Sequence, residues 1–344
     1  MPKDSKFRIA LIGTDSLRGK EIKNALERDK FPLKSLDLFD PKVRKEFSKL
    51  TNFRDEAKVI HHLDKKMMEG LDLVFLASDA STNREYGLLA RKLGYRAVDL
   101  AETFNEDPDV PIVVAGVNDE AARGAGHNLV ANPNPVTIFL SHLYHALREG
   151  EGIRRSAAFV LQPASAFDEP GIKELVDESC ALLSSSQVSR KIFREQAAFN
   201  FLSRTEKPGP NGFSSRERQI LSEIRRVLGQ PEFPLSLSIV QAPVFHTYSI
   251  MTYVELERDA GIARLVETLK AGGVFDLSFR GGSAPATATN VAGKDKIFVG
   301  EIKKEEEIPG AFWIWLVADN LTAGSAVNAC EIARSLLSSL RANA

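Results

Sequence analysis

Cysteine is close to absent: the 344 residues contain two, Cys180 and Cys330. Two thiols make neither a disulfide framework nor a four-ligand zinc site, so a hydrophobic core has to hold the fold, and a reducing cytoplasm is the expected setting. A dominant charge of one sign is lacking too. The 45 Lys and Arg against 46 Asp and Glu leave a net charge of −1, which gives no electrostatic case for nucleic acid or an anionic membrane. No apolar run reaches the roughly 18 residues needed to span a bilayer. The opening MPKDSKFRIALIG passes from charged residues into a short strand pattern and does not read as a signal peptide. There is no low-complexity tract and no obvious repeat.

What is present is enough chain for two domains, with the composition of an ordinary globular protein. FRIALIG (7–13), LKSLDLFD (33–40), LDLVFLAS (71–78), YRAVDL (95–100) and VPIVVAG (110–116) read as short strands, several of them continuous apolar runs that suit a buried parallel sheet. Helical spacing separates them, with Leu17, Ile22, Ala25 and Leu26 in the first helix and Gly94 where a C-cap glycine belongs. This alternation implies a doubly wound, Rossmann-type parallel sheet. After residue 134 the pattern changes to a helix reaching about Glu149, a strand SAAFVLQPASA, a helix EPGIKELVDESCALLSS and an irregular polar stretch from Arg190 to Ser215. An alternating strand at 235–256, broken near Pro243, a hairpin-like pair around AFWIWLVAD and a closing amphipathic helix follow. The expected division is a dinucleotide-binding domain over 1–133, an α+β dimerisation or substrate-type domain over 134–318, and a terminal helix over 319–344 that returns to the first domain.

IGTDSLRG carries Gly13 and Gly19 at a strand-to-helix turn, where glycines let backbone approach a pyrophosphate at a helix N-terminus. Ser16 stands at the middle glycine position. Asp40 ends the second strand about 20 residues on, where an acid hydrogen-bonds a ribose 2′-hydroxyl and repels a 2′-phosphate, which favours NAD over NADP. Lys42 and Arg44 beside it pull the other way, and Asp40 before Pro41 also suits a plain turn.

The Gly loop, DVPIVVAGVN (109–118), ANPN (131–134), QPASA (162–166), AFN (198–200), APVFHTYS (242–249) and ADNLTAGSAVNA (318–329) occur in one order over some 300 residues. In this the chain resembles the aspartate-semialdehyde dehydrogenase family, a family of amino-acid biosynthesis, and within it the Usg-type paralogues that lack the catalytic cysteine. The resemblance implies a Rossmann-type domain joined to a dimerisation domain. It also implies a reaction in which an acyl phosphate and NADPH give an aldehyde through a cysteine thioester. The nucleophile follows Asn-Pro-Asn, a histidine after the Pro-Val turn is acid/base, and arginines and a lysine hold substrate carboxylate and phosphate. Gly13, Thr14, Ser16, Leu17, Gly19, Asp40, Ser78, Asn320 and Gly324 are the positions that would hold the cofactor. Asn105, Asn134, Gln162 and Gln241 would line the substrate-type cleft, with Asn132 nearby.

The reactive positions are replaced. The nucleophile position is Pro135, with no thiol, hydroxyl or backbone N–H, though proline at the first helical residue after an Asn cap is preorganised for the helix. A thiolate there would be stabilised by the helix dipole, and an N–H there could hold an oxyanion. The acid/base position is Tyr248, whose phenol titrates near pH ~10 and suits that task poorly. Gln241 and Asn105 stand at arginine positions, and Thr322-Ala323 at an Arg-Lys pair. Cys180 and Cys330 lie within helices and read as packing thiols. His246, two residues before Tyr248 in a strand pattern, would share its face and is the one substitute acid/base. His142 and His145 share a helix face but lack a visible third ligand, so no metal site is expected. His61-His62 read as a surface turn. Phe312, Ile314 and Leu316 alternate with Trp313, Trp315 and Val317, so both faces of that strand should be covered, by the chain itself or by a second subunit.

The expected function is therefore a cytoplasmic, NAD(P)-binding homologue that has lost acyl-phosphate reduction, a pseudoenzyme with a binding, regulatory or structural role. A homodimer, a small-molecule ligand and an active paralogue are the partners considered; nucleic acid and membrane are not. The alternative is an active NAD(P)-dependent oxidoreductase on an aldehyde or other carbonyl, working without cysteine and using His246 or Tyr248.

Overall fold

A computed structural model of the chain describes residues 6–123, 128–184, 186, 190–282 and 284–342. They form two compact units, Met1–Asn134 with Ser325–Ala344, and Pro135–Gly324. The first runs β1 (Phe7–Ile12), α1 (Leu17–Arg28), β2 (Leu33–Phe39), β3 (Lys49–Phe53), β4 (Glu56–His61), β5 (Leu73–Leu76), α2 (Ala80–Leu93), β6 (Arg96–Asp99), α3 (Glu120–Arg123) and β7 (Leu129–Ala131). The second runs α4 (Pro135–Gly150), β8 (Ile153–Gln162), α5 (Asp168–Ser184), α6 (Ser215–Leu228), β9 (Leu235–Gln241), β10 (Tyr248–Leu256), α7 (Ile262–Ala271), β11 (Phe275–Asp276), α8 (Ala288–Val291), β12 (Ile297–Lys304) and β13 (Ala311–Ala318). The closing helix α9 (Val327–Ala342) belongs to the first unit.

The first unit is built on a seven-stranded sheet, order β3-β4-β2-β1-β5-β6-β7, parallel except for the β3–β4 pair. Its central strands are apolar on both sides because both faces are covered. Leu11, Phe75 and Val98 pack with Leu26 of α1 and Ile332 of α9, while Ile12, Val74 and Leu76 pack with Tyr86 and Ala90 of α2. Asp79 caps the start of α2, and Gly94 closes it in the left-handed conformation.

Three sequence expectations are corrected. VPIVVAG is not a strand beyond one bridge, Ile112 to Ala131. The Asn118 and Asn328 side chains take the backbone groups that a ladder would use. Val114 N–H donates to Asn118 Oδ1, and Ala115 N–H to Asn328 Oδ1, both at 2.8 Å. The Asn328 amide in turn donates to Val113 O at 2.9 Å. His61 lies in β4 rather than a turn, on a hairpin with mostly exposed side chains. And the charged stretch after Ser214, given no element from sequence, is helix α6, started by a reciprocal Ser214–Glu217 capping box and ended by a left-handed Gly229.

The second unit has a six-stranded sheet, order β11-β12-β13-β10-β8-β9. On one face Ile250, Phe312, Ile314 and Leu316 are buried, and α4 lies there. Tyr144 of α4 bonds Ser156 of β8, and Phe139 meets the Tyr248 ring edge-on. On the opposite face Ala286 and Val291 pack on Val317 and Phe298, and Trp315 donates to Ala286 O, but the described residues leave the rest open: Phe159 is 46% and Trp313 37% exposed. The irregular stretch after Arg190 is tied down by two carboxylates of α5. Glu174 accepts the N–H groups of Lys191, Ile192 and Phe193, and Glu178 those of Ala197 and Ala198.

Candidate functional site

The loop between β1 and α1 requires its glycines for steric reasons. Gly13 has φ +87°, and a Cβ there would sit 2.6 Å from the Ala77 carbonyl; at Gly19 it would sit 2.1 Å from Gly13 O. Strand, loop and helix therefore approach as closely as a dinucleotide loop demands. Ser16 is the N-cap of α1: its Oγ accepts the Gly19 N–H at 3.0 Å and lies 2.8 Å from the carbonyl oxygens of Gly13 and Ala77. The hydroxyl thus takes one of the amides that a glycine would leave pointing outward. Leu17 opens the helix. The Thr14 hydroxyl turns inward to Phe39 O at 3.1 Å, and its backbone N–H donates to the same oxygen at 3.2 Å. Ser78 N–H is held by Asn83 Oδ1 and its hydroxyl by Asp79, so its polar groups order the start of α2.

Asp40 does not present a free carboxylate. It is buried, and its two oxygens accept the N–H groups of Asp15 (3.2 Å) and Lys42 (3.0 Å), which fixes the loop against the end of β2. Beside it lies a pocket of about 290 Å³ lined by Lys42, Val43, Arg44, Phe47, Ser48 and Lys49. Lys49 Nζ is 2.7 Å from Asp15 Oδ2. Sequence reading named Lys42 and Arg44 but missed Lys49, because its place opposite the loop depends on the β3–β4 hairpin. The fit to a dinucleotide is therefore mixed at the pyrophosphate, where Ser16 engages an amide, and good at an adenosine phosphate, where cations and an exposed aromatic ring line a pocket.

Asn134 closes the first unit and its amide donates to Glu102 at 3.3 Å, a carboxylate not anticipated from sequence and held on a backbone with φ +60°. Asn132 accepts from Asn328 at 2.9 Å, and Asn105 is buried. Pro135 is the first residue of α4, where its fixed φ suits a helix start and its missing N–H costs nothing. Gly324 passes directly over it: a Cβ on Gly324 would lie 2.7 Å from Pro135 Cβ and from the Phe139 ring. One side of the Pro135 ring is thus packed against Gly324, and the residue is half-buried.

The other reactive positions of the second unit form a neutral, mutually satisfied cluster. The Gln162 amide donates to Gln241 Oε1 at 3.2 Å, the Gln241 amide to Ala242 O at 3.0 Å, and the Tyr248 hydroxyl to Gln162 Oε1 at 3.3 Å. All three side chains are buried. Asn320 Oδ1 accepts from Ser165 Oγ (3.0 Å) and Thr247 N–H (3.3 Å). Asp319 accepts the N–H groups of Leu321 and Thr322, which fixes the turn that carries Thr322-Ala323. His246 does not share a strand face with Tyr248: it precedes β10, and Thr247 between them has φ +70°, which breaks the period of two. His142 and His145 lie on α4, and among the described residues no group of three metal-ligating side chains occurs. Burial pushes the Cys330 thiol up to about 12, while Cys180 is exposed on α5; neither begins a helix. No helix among the described residues is long and apolar enough to cross a membrane.

Comparison with known proteins places this geometry. The family model of the semialdehyde dehydrogenase NAD-binding domain matches residues 8–125, and that of the semialdehyde dehydrogenase dimerisation domain matches residues 147–323. Aspartate-semialdehyde dehydrogenase 2 of Vibrio cholerae is 25% identical over 333 residues, covering 96% of this chain and 98% of its own. Aspartate-semialdehyde dehydrogenase of Aquifex aeolicus is 28% identical over 335 residues, with the same coverage of both chains. The crystal structure of aspartate semialdehyde dehydrogenase II from Vibrio cholerae, complexed with ASA, has the same fold, with a TM-score of 0.90 at 24% identity over 97% of this chain and 99% of that one. With a Rossmann-like NAD-binding unit, a dimerisation unit and matches along nearly its full length, the chain belongs to the semialdehyde dehydrogenase family.

Proposed function

We propose that this chain is a Usg-type member of its family that lacks the catalytic cysteine: a cytoplasmic, homodimeric protein that binds NADP(H) and does not reduce acyl phosphates. One observation carries the loss of chemistry. Pro135, where the resemblance puts the nucleophile, is buttressed by Gly324 and Phe139 beside a cluster of neutral, hydrogen-bonded side chains, Gln162, Gln241 and Tyr248. A dianionic acyl phosphate needs cationic donors, and these positions supply amides and a phenol. The alternative of an active oxidoreductase draws no support from Tyr248, which is 2% exposed with its hydroxyl on Gln162, or from His246, set apart by the turn at Thr247.

The cofactor choice rests on the adenosine end. Asp40 already accepts two backbone donors, so it is poorly placed to read a ribose 2′-hydroxyl, whereas Lys42, Arg44 and Lys49 line a pocket suited to a 2′-phosphate. This favours NADP(H) over the NAD suggested by Asp40 alone. The homodimer is supported by the family's dimerisation unit and by the open sheet face around Phe159 and Trp313. Titration of nicotinamide fluorescence tests the cofactor reading. NADPH should bind at least about tenfold more tightly than NADH, with the difference shrinking as salt rises; equal affinities, or no binding at millimolar cofactor, would remove it.

A further inference from the structure

Helix α6 sorts its charges by sign. Its acids face inward: Glu217 accepts the N–H groups of Ser214 and Ile239, and Glu223 accepts from Thr137 and Gln219. Outward, Arg218, Arg225 and Arg226 line a pocket of about 580 Å³ together with Leu221 and Pro231. A second pocket of similar size continues past Arg225 and Pro231 to Arg155 and Ser236. Arg218 and Arg225 donate only to carbonyl oxygens, of Phe213 and Phe233, so among the described residues neither has a carboxylate partner.

The opposite character sits in the turn between β12 and β13, Glu305-Glu306-Glu307-Ile308-Pro309. Glu305 accepts from Trp313 Nε1 at 2.7 Å. Glu306 and Glu307 are exposed and form no ion pair with a described residue, and Ile308 is 44% exposed. Strand register places turn and pocket at the same end of the sheet: Ala311 pairs with Glu255, Glu255 with Arg155, and Ser156 with Leu235. Three strand spacings, ~14 Å, separate them. Between them, on the partly open face, runs the row Trp313, Tyr253, Ala157, Ser236.

We infer that the arginine groove of α6 receives the acidic β12–β13 turn of a second copy of this chain, and that the reciprocal contact sets the register in which two open sheet faces meet. The inference rests on the homodimer reading above. A second copy is the occupant because both complementary parts lie on this chain, at one end of one sheet. A single two-fold axis between facing sheets then forms both contacts at once. The Glu306 and Glu307 carboxylates meet the Arg218 and Arg225 guanidinium groups, and Ile308 covers Leu221 and Pro231. Charge pairs of this kind select partner and register more than they add affinity.

Sedimentation velocity on charge-reversed chains tests it. Arg218→Glu with Arg225→Glu in one chain, and Glu306→Arg with Glu307→Arg in another, should each raise the dimer dissociation constant at least roughly tenfold. All four changes combined in one chain should bring it back to within about threefold of the original, which a merely misfolded variant would not do. A dimer that neither reversal weakens overturns the contact and leaves the homodimer standing. A chain that is monomeric at every concentration overturns both.

Discussion

Truncating Glu178 should weaken the second unit by an amount the structure allows to be worked out. Its side chain is fully buried, and its carboxylate accepts the N–H groups of Ala197 (2.7 Å) and Ala198 (2.8 Å) and the Arg190 Nε (2.7 Å). Ala197 and Ala198 are themselves buried, so Glu178→Ala strands two backbone donors without water. Each unpaired donor costs about 1–3 kcal/mol. The Arg190 side chain is 38% exposed and rehydrates, so its pairing adds little. Partial relaxation brings the expected loss to about 3 kcal/mol, and Glu178→Gln, which keeps one acceptor oxygen, should lose about 1–2 kcal/mol. Both tryptophans, Trp313 and Trp315, lie on β13, so urea unfolding followed by tryptophan fluorescence reads this unit. The midpoint should fall with an unchanged slope, and hydrogen exchange should accelerate first at Ala197 and Ala198. A loss under about 0.5 kcal/mol with exchange unchanged at those amides would refute the assignment of Glu178 as the tether.

Gly19→Ala places a Cβ against backbone, 2.1 Å from Gly13 O, and should cost about 3 kcal/mol in the first unit; an unaltered thermal midpoint would mean the loop yields freely. Arg44→Glu should weaken NADPH binding at least about tenfold while leaving NADH within about twofold, and a parallel loss of both would place Arg44 outside the phosphate pocket. Of the two thiols, only Cys180 should react with a thiol reagent at mildly alkaline pH in the native protein. Burial raises the Cys330 pKa to about 12, so its thiolate is scarce until pH rises toward that value. Release of both thiols without denaturant would contradict its burial.

The sequence made the central parallel strands legible because burial on both faces leaves an unbroken apolar signature, as in Leu73–Leu76. The β3–β4 hairpin was illegible for the converse reason: its side chains are mostly exposed, and its turn uses Arg54 and Asp55 at positive φ rather than an Asn-Gly pair. Val113 and Val114 read as a strand because they are buried, yet asparagine side chains satisfy their backbone. Helix α6 hid behind its arginines, although its capping box was there to be read in Ser214 and Glu217. At the site, residue identities were visible along the chain, but their engagement was not. That Asp40 binds backbone, that Thr14 turns inward and that Gln162, Gln241 and Tyr248 satisfy one another depend on contacts far apart in sequence.

The central claim is that no covalent acyl chemistry starts at Pro135. The direct measurement is phosphate-dependent reduction of NADP by aspartate semialdehyde, followed by absorbance at protein concentrations high enough to detect single turnovers. The native chain and Pro135→Cys should both give no NADPH above the protein-free rate, since a thiol alone leaves Gln241, Tyr248 and Thr322-Ala323 in place. Turnover by the native chain that Tyr248→Phe or His246→Ala abolishes would contradict the account.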